Sequence, residues 1–280
     1  MKSLINQIVT KNTLFQKIYR RCIWGIDEFR NILGFYDSEA KLAADNQDYW
    51  TKDYSNPNLA QDAHWKNNGK FEDHQRWHNL GKEHLDLIVN FSSILNLQLP
   101  VKQIVEWGCG GGANAVHLAP FTEKFIGIDI TSESLVECNK QVLEIGCKNF
   151  HPILINSSTP ESVLRDEINE VDLFICTYVY ELFPSPTYGL TVLKLANKML
   201  KAEGVALVHI RYNDGKTGLR SKRWGYKLHP YVMTTYTIEE FWEKSKELGF
   251  EPLGIHLKPQ QPLVNDHNYA YFFLKKNVVN

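Results

Sequence analysis

Apolar residues follow helical spacing through most of the first third of the chain. Two stretches, 2–34 and 71–96, each carry an apolar stripe of the kind that packs a helix onto a core. The segment 36–70 between them is polar and is broken by Asn-Pro and Asn-Gly turns. Its aromatic residues are Tyr49, Trp50, Tyr54 and Trp65. The pattern predicts an N-terminal helical extension over residues 1–99, which either closes over a ligand as a lid or only packs on the core.

From residue 103 the pattern changes to short apolar runs separated by helical segments. The predicted strands are 103–105, 124–128, 150–155, 171–176 and 205–210. Helical segments are predicted from Ala113, over 133–145, over 161–168 and over 187–200. Continuous apolar runs are typical of parallel strands covered on both faces. Right-handed crossovers between them predict a doubly wound α/β sheet.

The C-terminal region predicts a different pairing. Residues 238–248 form an amphipathic helical pattern, and two apolar runs follow at 251–258 and 269–275. The Pro-rich connection between these runs is too short for a crossover helix, so the two strands should pair antiparallel. The predicted second unit therefore spans residues 100–280 and holds a mostly parallel, seven-stranded sheet that ends in an antiparallel hairpin.

A glycine-rich stretch after the first predicted strand is the strongest chemical signal in the chain. Gly108, Gly110 and Gly112 follow the acid Glu106, and a helix is expected from Ala113. Glycine allows a sharp turn from strand to helix and a close approach of the backbone to a ligand. As G-x-G-x-x-A the stretch fits a dinucleotide fingerprint, so the glycines alone leave the ligand open.

Read as E-x-G-x-G-x-G, residues 106–112 resemble the first motif of the class I S-adenosylmethionine-dependent methyltransferases. The C-terminal hairpin also matches the Rossmann-like architecture of that superfamily. The resemblance implies S-adenosylmethionine as the cofactor. The cofactor-binding residues that it implies are Glu106, Gly108, Cys109, Gly110, Gly112, Asp129, Ile130, Asn156, Ser157 and Thr177.

Three of these residues carry specific expectations from the family. Glu106 should orient the loop and the amino-acid part of the cofactor, and Asp129 should accept hydrogen bonds from both ribose hydroxyls, since a carboxylate offers two acceptor oxygens. Family members often place an acid after the third strand to bind the adenine amino group. This chain lacks that acid, and Asn156 is expected to substitute through its side-chain carbonyl.

Methyl transfer to a hydroxyl needs a base near the carboxyl ends of the fourth and fifth strands. Three residues qualify by position, namely His209, Glu181 and Tyr212. His209 is the preferred base because histidine titrates near neutrality. A packed core histidine in the fifth strand is the equally acceptable alternative. Many family members pair an acid with a histidine here, but Leu182 follows Glu181 in this chain.

A long basic segment, 211–236, connects the fifth strand to the next helix. Connections of this length often carry function. The expected substrate-binding residues are Tyr178, Arg211, Trp224 and Tyr226. The basic residues favour an acceptor that carries a carboxylate or phosphate, or one bound to an acidic carrier protein. The alternative interpretation is a solvated basic loop without a ligand.

Composition restricts the remaining choices. The chain has 280 residues and a formal net charge of −1, which gives no indication of nucleic-acid binding. Its five cysteines form no C-x-x-C motif, and no apolar run is long enough to span a membrane. We therefore expect a cytoplasmic protein without stable membrane insertion. Glu181, Asn213 and Asp214 match a metal-dependent subclass poorly, so no metal is expected.

Together these features predict a methyltransferase that acts on a small molecule, most simply at a hydroxyl oxygen. The chain also has a general similarity to the O-methyltransferases of microcystin-type polyketide–peptide pathways, without a diagnostic motif. Methylation at nitrogen or carbon by the same fold stays open. The rival classes are an NAD-dependent oxidoreductase and a non-catalytic binding protein of the same fold. The oligomeric state and the identity of the acceptor are left open.

Overall fold

The computed structural model describes residues 25–26, 29–30, 33–51, 74–166, 168–215, 219–228, 230–264 and 266–278. The predicted N-terminal helix over 2–34 lies mostly outside these residues, as do Tyr54 and Trp65 from the polar segment. Within the described part of the extension, the residues Glu39–Thr51 and His74–Asn90 are helical.

The predicted α/β sheet is confirmed. Its strands are β1 (Val101–Trp107), β2 (Thr122–Asp129), β3 (Phe150–Leu154), β4 (Val171–Cys176), β5 (Leu200–Arg211), β6 (Phe250–Gln261) and β7 (Asp266–Lys276). They are arranged in the order β3-β2-β1-β4-β5-β7-β6. The first five strands pair parallel, whereas β7 pairs antiparallel with both β5 and β6. Because the strand order reverses beside β1, the carboxyl ends of β1 and β4 border a crevice suited to a ligand.

Helices cover both faces of the sheet, and some of them border this crevice. Their bounds are α1 (Glu39–Thr51), α2 (His74–Asn90), α3 (Ser92–Leu95), α4 (Ala115–Leu118), α5 (Ser132–Glu144), α6 (Pro186–Met199) and α7 (Ile238–Glu247). Local sequence explains two of the helix starts. Ser185 caps α6 by accepting from the Tyr188 amide at 3.2 Å, and Thr237 and Glu240 form a capping box at the start of α7.

The structure corrects several predicted element bounds. The helix after the glycine loop is a single turn, α4, because a 3₁₀ turn containing Pro120 follows it at once. The hairpin strands β6 and β7 extend into the Pro-rich connection, where Gln261 pairs with Asp266. Pro259 is tolerated within β6 because β6 lies at the edge of the sheet.

Two apolar clusters hold the helices against the two faces of the sheet. One packs α6 and α7 residues against Phe174, Val208 and Phe272, and the other packs α2, α4 and α5 against Ile104, Phe125 and Phe273. The packed sheet therefore supports the crevice at its carboxyl edge. Within the described part of the chain, none of the helices has the length and apolar character of a membrane span.

Candidate active site

The glycine loop after β1 is shaped by positive backbone angles. Gly108 has φ +75° and Gly110 has φ +51°, in the left-handed region that side chains rarely adopt. A Cβ on Gly108 would lie 2.5 Å from the Val179 side chain, so glycine is needed there for packing. A Cβ on Gly110 would meet no atom within 4 Å, which leaves this backbone open toward the crevice.

Gly112 has a different role from the one that the resemblance implied. At φ +96° it lies against α5, where a Cβ would be 3.0 Å from the Cys138 sulfur. Gly112 therefore allows the loop to pack closely on α5, and it is absent from the residues that line the crevice among those described. Cys109 does line the crevice, and its thiol, hydrogen-bonded to Cys138, has a pKa well above the usual range.

The crevice forms a cavity of about 1120 Å³ that is partly open to solvent. Its floor is polar and comes from β1, β2 and β4, whereas α1 and α2 supply much of the opposite wall. The floor residues include Glu106, Asn114, Asp129, Ser157 and Thr177. The wall residues include Asn46, Trp50, Trp77, Leu80, His84, Tyr178 and Tyr188. A partly enclosed crevice with apolar and aromatic walls and a few polar groups is typical of a small-molecule site.

Asn114 connects the polar groups at the β1 and β4 end of the cavity. Its Nδ2 donates to Glu106 Oε1 at 2.6 Å and to Thr177 Oγ1 at 2.9 Å. Its Oδ1 lies 2.6 Å from His84 Nδ1, so that nitrogen must carry the proton and donate. We call these four residues, Glu106, Asn114, Thr177 and His84, the cavity network.

Glu106 is the acidic member of the cavity network. Burial raises its pKa to about 8, against the lowering effect of the Asn114 hydrogen bond. Its second oxygen, Oε2, is buried and has no hydrogen-bond partner among the described residues. An unpartnered buried carboxylate oxygen beside a cavity is suited to accept from a cationic donor on a ligand.

Asp129 stands at the end of β2 and joins two loops. Its Oδ2 accepts from the Gly110 amide at 3.0 Å, and its Oδ1 accepts from the Thr131 amide and hydroxyl, each at 2.9 Å. These hydrogen bonds, together with one from the Ile130 backbone, hold both loops on the carboxylate. Asp129 also lines the cavity, and its contact with the ribose hydroxyls stays a prediction.

The charges around the cavity distinguish between S-adenosylmethionine and NAD, the two cofactors that the glycine loop allows. Glu106 and Asp129 both line it, whereas the described lining residues include no lysine or arginine. Such a cavity suits a ligand that carries positive charge, and it offers no side-chain partner to a pyrophosphate. The residues present therefore fit S-adenosylmethionine, with its sulfonium and ammonium groups. Among the described residues, no group of three His, Cys, Asp or Glu could hold a metal ion.

Helix α1 forms the roof of the cavity at the β2 and β3 ends. Asn46 Oδ1 accepts from the Ser157 hydroxyl at 2.5 Å. Gln47 donates to the Ile130 carbonyl at 3.2 Å and accepts from the Ser157 amide at 2.8 Å. Trp50 lines the same roof, in agreement with the lid interpretation of the aromatic residues. The helix is thus fastened across both cofactor loops.

Tyr226 does not face the cavity, which corrects its expected role in substrate binding. Its side chain is fully buried, and its hydroxyl accepts from Asn46 at 2.6 Å and from Trp50 at 2.8 Å. The same hydroxyl donates to the Leu182 carbonyl at 2.6 Å. Tyr226 is therefore an anchor that holds α1 against the segment after β5.

Asn156 also departs from its expected role. Its side chain is exposed, and Oδ1 accepts from the Ser158 amide at 2.8 Å in a local turn. It is not among the lining residues, whereas its neighbour Ser157 is. Asn156 therefore does not substitute for the missing acid.

The residues expected to act as the base lie behind the cavity wall. His209 is 0% exposed, and its ring packs against Tyr178, Tyr269 and Tyr271. Burial holds the pKa of His209 well below its usual range. Its Nδ1 accepts from the Tyr178 amide at 3.0 Å, so it is a packed core histidine rather than a base that faces the acceptor.

Glu181, His209, Arg211 and Asp266 form what we call the rear cluster. Glu181 Oε2 lies 4.0 Å from His209 Nδ1 and has no hydrogen-bond partner among the described residues, and burial raises the Glu181 pKa to about 7. Arg211 pairs with Asp266 at 2.5 Å rather than facing a substrate. Neither Glu181 nor Arg211 lines the cavity.

Two further expected residues are placed elsewhere. Tyr212 forms a bridge with Tyr236 and donates its amide to the Asn268 carbonyl at 2.8 Å. Trp224 stacks under the Arg30 guanidinium, 4.5 Å from the ring centre. Tyr178, in contrast, lines the cavity as expected and has a strained φ of +56°.

Three residues that sequence reasoning did not assign to the site are central to it. Asn46, Asn114 and His84 belong to no motif of the sequence. A signal for His84 existed in its position on the inward stripe of α2, but its partner Asn114 is 30 residues away. Contacts at such separation become visible only in the folded chain.

Comparison with known proteins agrees with this geometry. Residues 105–208 match the family model of a methyltransferase domain. A ubiquinone biosynthesis O-methyltransferase of Aliivibrio fischeri is 30% identical over 103 residues, which cover 37% of this chain and 41% of that protein. An uncharacterized protein of Rickettsia prowazekii is 28% identical over 134 residues, which cover 46% of this chain and 23% of that protein. The chain thus spans less than half the length of these curated relatives.

The fold also has close counterparts among solved structures. An S-adenosylmethionine-dependent methyltransferase of Methanosarcina mazei superposes with a TM-score of 0.54 at 16% identity, covering 69% of this chain and 98% of that one. At this identity the likeness shows the fold alone. The family match, the strand order and the acidic cavity nevertheless agree with one another.

Proposed function

We propose that the chain is a class I S-adenosylmethionine-dependent methyltransferase that transfers the methyl group to a hydroxyl of a small molecule, in keeping with the methyltransferase-domain match over residues 105–208 and with the fold. The observation that carries the proposal is the cavity itself. Two carboxylates and no described lysine or arginine line a space of about 1120 Å³ that α1 and α2 partly enclose. Such an enclosed space admits a small acceptor or a pendant chain rather than a folded macromolecule.

The acceptor side is the part of the cavity beside α2. Trp77, Leu80 and Tyr178 give it a largely apolar wall, with the cavity network below. This surface suits an apolar or aromatic acceptor such as a polyketide- or peptide-derived compound. The match to a ubiquinone biosynthesis O-methyltransferase supports oxygen as the acceptor atom. We place the reaction in the cytoplasm, in keeping with the free Cys109, Cys138, Cys147 and Cys176.

When bound, the cofactor supplies an electrophilic methyl group on a sulfonium. Glu106 and Asp129 would hold its cationic and ribose parts, and the α1 roof would shield part of the cavity from water. Alignment within a dry cavity contributes much to a displacement of this kind. Tyr178 and Thr177 would border the acceptor, because both follow β4 and line the cavity.

We assign to His84 the proton-accepting role that sequence reasoning gave to His209. Burial lowers the pKa of His84 to about 4, so the ring is neutral at pH 7. Since Nδ1–H donates to Asn114, Nε2 is the basic nitrogen, and its contact with the Tyr271 hydroxyl is long, at 3.3 Å. We expect His84→Gln to lower kcat at least tenfold with little change in cofactor affinity. An unchanged kcat would exclude His84 as the base.

The first experiment is a thermal-stability comparison with S-adenosylhomocysteine and, separately, with NADH. A ligand at about a hundred times its Kd should stabilise the protein by roughly 2.7 kcal/mol. Asp129→Ala should weaken S-adenosylhomocysteine binding by about tenfold or more, because a hydrogen bond to a charged acceptor is lost. Stabilisation by NADH alone would overturn the proposal. An acceptor screen with hydroxyl-bearing compounds then identifies the substrate.

A further inference from the structure

The cavity has a distinct end at the carboxyl edges of β2 and β3. The sheet order places the ends of β1, β2 and β3 in a row, marked by Gly108, Asp129 and Ser157. An acid at the end of the second strand is suited to a ribose hydroxyl, and the glycine loop to the 5′ side of a nucleoside. The base of a bound nucleoside then lies on the β3 side, under the α1 roof.

The loop that follows β3 offers no carboxylate or amide oxygen to that base. Asn156 is exposed and turned into its own local hydrogen bond. Ser157 lines the cavity and donates its hydroxyl proton to Asn46, so its own oxygen is left only as a hydroxyl acceptor, which is weaker than an amide oxygen. An adenine amino group placed here would therefore find an amide acceptor only in another part of the chain, and a buried donor without a partner is costly.

Asn46 supplies such an acceptor, and its orientation is fixed by its neighbours. One amide atom lies 3.1 Å from the Leu182 carbonyl, which can only accept, so this atom is Nδ2. The same Nδ2 lies 2.6 Å from the Tyr226 hydroxyl. Oδ1 is therefore the atom that faces Ser157, and both residues line the cavity. It receives one hydrogen bond, from the Ser157 hydroxyl, which leaves it one further lone pair.

From this arrangement we propose that Asn46 Oδ1 binds the exocyclic amino group of the cofactor's adenine and makes the site selective for it. The inference rests on the proposed function, because it presumes an adenosyl ligand. Helix α1 then has a role beyond covering the site, because it carries the amide acceptor that the loop after β3 lacks. Gln47, the next residue, only fastens the helix to the Ile130 and Ser157 backbones.

The test compares two ligands on three proteins by calorimetry. The ligands are S-adenosylhomocysteine and its 6-deamino analogue, which carries hydrogen in place of the amino group. We expect wild-type protein to bind the amino ligand about tenfold more tightly, as one buried hydrogen bond allows. Asn46→Ala should reduce this ratio to near one. Gln47→Ala, the matched roof variant, should weaken both ligands equally and keep the ratio.

The outcomes separate this inference from the proposed function. Equal binding of both ligands by wild-type protein, or an unchanged ratio in Asn46→Ala, would overturn the role of Asn46 alone. Failure of wild-type protein to bind either ligand would overturn the methyltransferase proposal and this inference together. If Asn46→Ala does not fold, Asn46→Asp keeps an acceptor toward the cavity and should retain the ratio. A collapsed ratio in that variant would contradict the assignment.

Discussion

Glu106 and Glu181 are two buried carboxylates that share nearly every property except access to the cavity. Burial raises the pKa of Glu106 to about 8 and that of Glu181 to about 7. Each has one oxygen without a hydrogen-bond partner among the described residues. Yet Glu106 lines the cavity, whereas Glu181 belongs to the rear cluster behind Tyr178. A raised pKa of a carboxyl group thus reports burial. Such a group is a candidate for ligand binding only where it also lines a cavity.

The largest expected effect comes from removing Asn114, the residue that connects the cavity network. Asn114→Ala leaves Glu106, Thr177 and His84 without their shared partner. We expect the free energy of unfolding to fall by about 3 kcal/mol or more, since each unsatisfied buried group costs 1–3 kcal/mol. Urea unfolding measures the loss. Asn213→Ala, which removes an exposed loop bond at 2.9 Å, is the control and should change stability by less than about 1 kcal/mol.

The pH dependence of stability separates the two carboxylates. A carboxyl group whose folded pKa is raised holds a proton that the unfolded chain has released. The free energy of unfolding therefore falls as the pH rises from the unfolded pKa to the folded pKa. This pH range ends near pH 7 for Glu181 and near pH 8 for Glu106. Ligand-free protein should therefore lose about 1 kcal/mol between pH 7 and pH 8 through Glu106, and less through Glu181. Glu106→Gln should remove most of the total loss and Glu181→Gln should retain most of it; the reverse result would contradict the assignment.

Cofactor binding should also depend on pH through Glu106 alone. A cationic donor favours the ionised carboxylate, so binding releases the proton that Glu106 holds below about pH 8. We expect the affinity for S-adenosylhomocysteine to rise severalfold, and at most about tenfold, between pH 6.5 and pH 7.5. Calorimetry in buffers of different ionisation enthalpy counts the released proton. The slope should disappear in Glu106→Gln and persist in Glu181→Gln.

The rear cluster should act on the reaction only through Tyr178. His209 Nδ1 accepts the Tyr178 amide at 3.0 Å and so supports the positive φ of that residue. We expect His209→Leu to raise the KM for the acceptor about threefold, with unchanged affinity for S-adenosylhomocysteine. His209→Asn offers an acceptor near the same place and should restore the KM. Equal effects of both variants would indicate a packing role alone.

The sequence was sufficient for the sheet and for the residues at its strand ends. Apolar runs and the glycine loop fix where each parallel strand stops, and Glu106 and Asp129 stand at those stops. The sequence did not reveal which face of a strand a side chain takes when both faces are covered, so the base and the packed core histidine both stayed open for His209. Asn46 gave no local signal because its partners, Ser157 and Tyr226, are 111 and 180 residues away.

The Tyr226 hydroxyl has a consequence for engineering and for the evolution of this site. It joins α1 to the segment after β5, although the two are far apart along the chain. A graft of residues 211–236 from a relative with a different acceptor would leave Asn46 and Trp50 without this partner. The smallest unit that can be exchanged without losing this contact therefore consists of α1 and residues 211–236. A single recombination crossover between them would separate the two parts, so new specificities should arise here by paired changes.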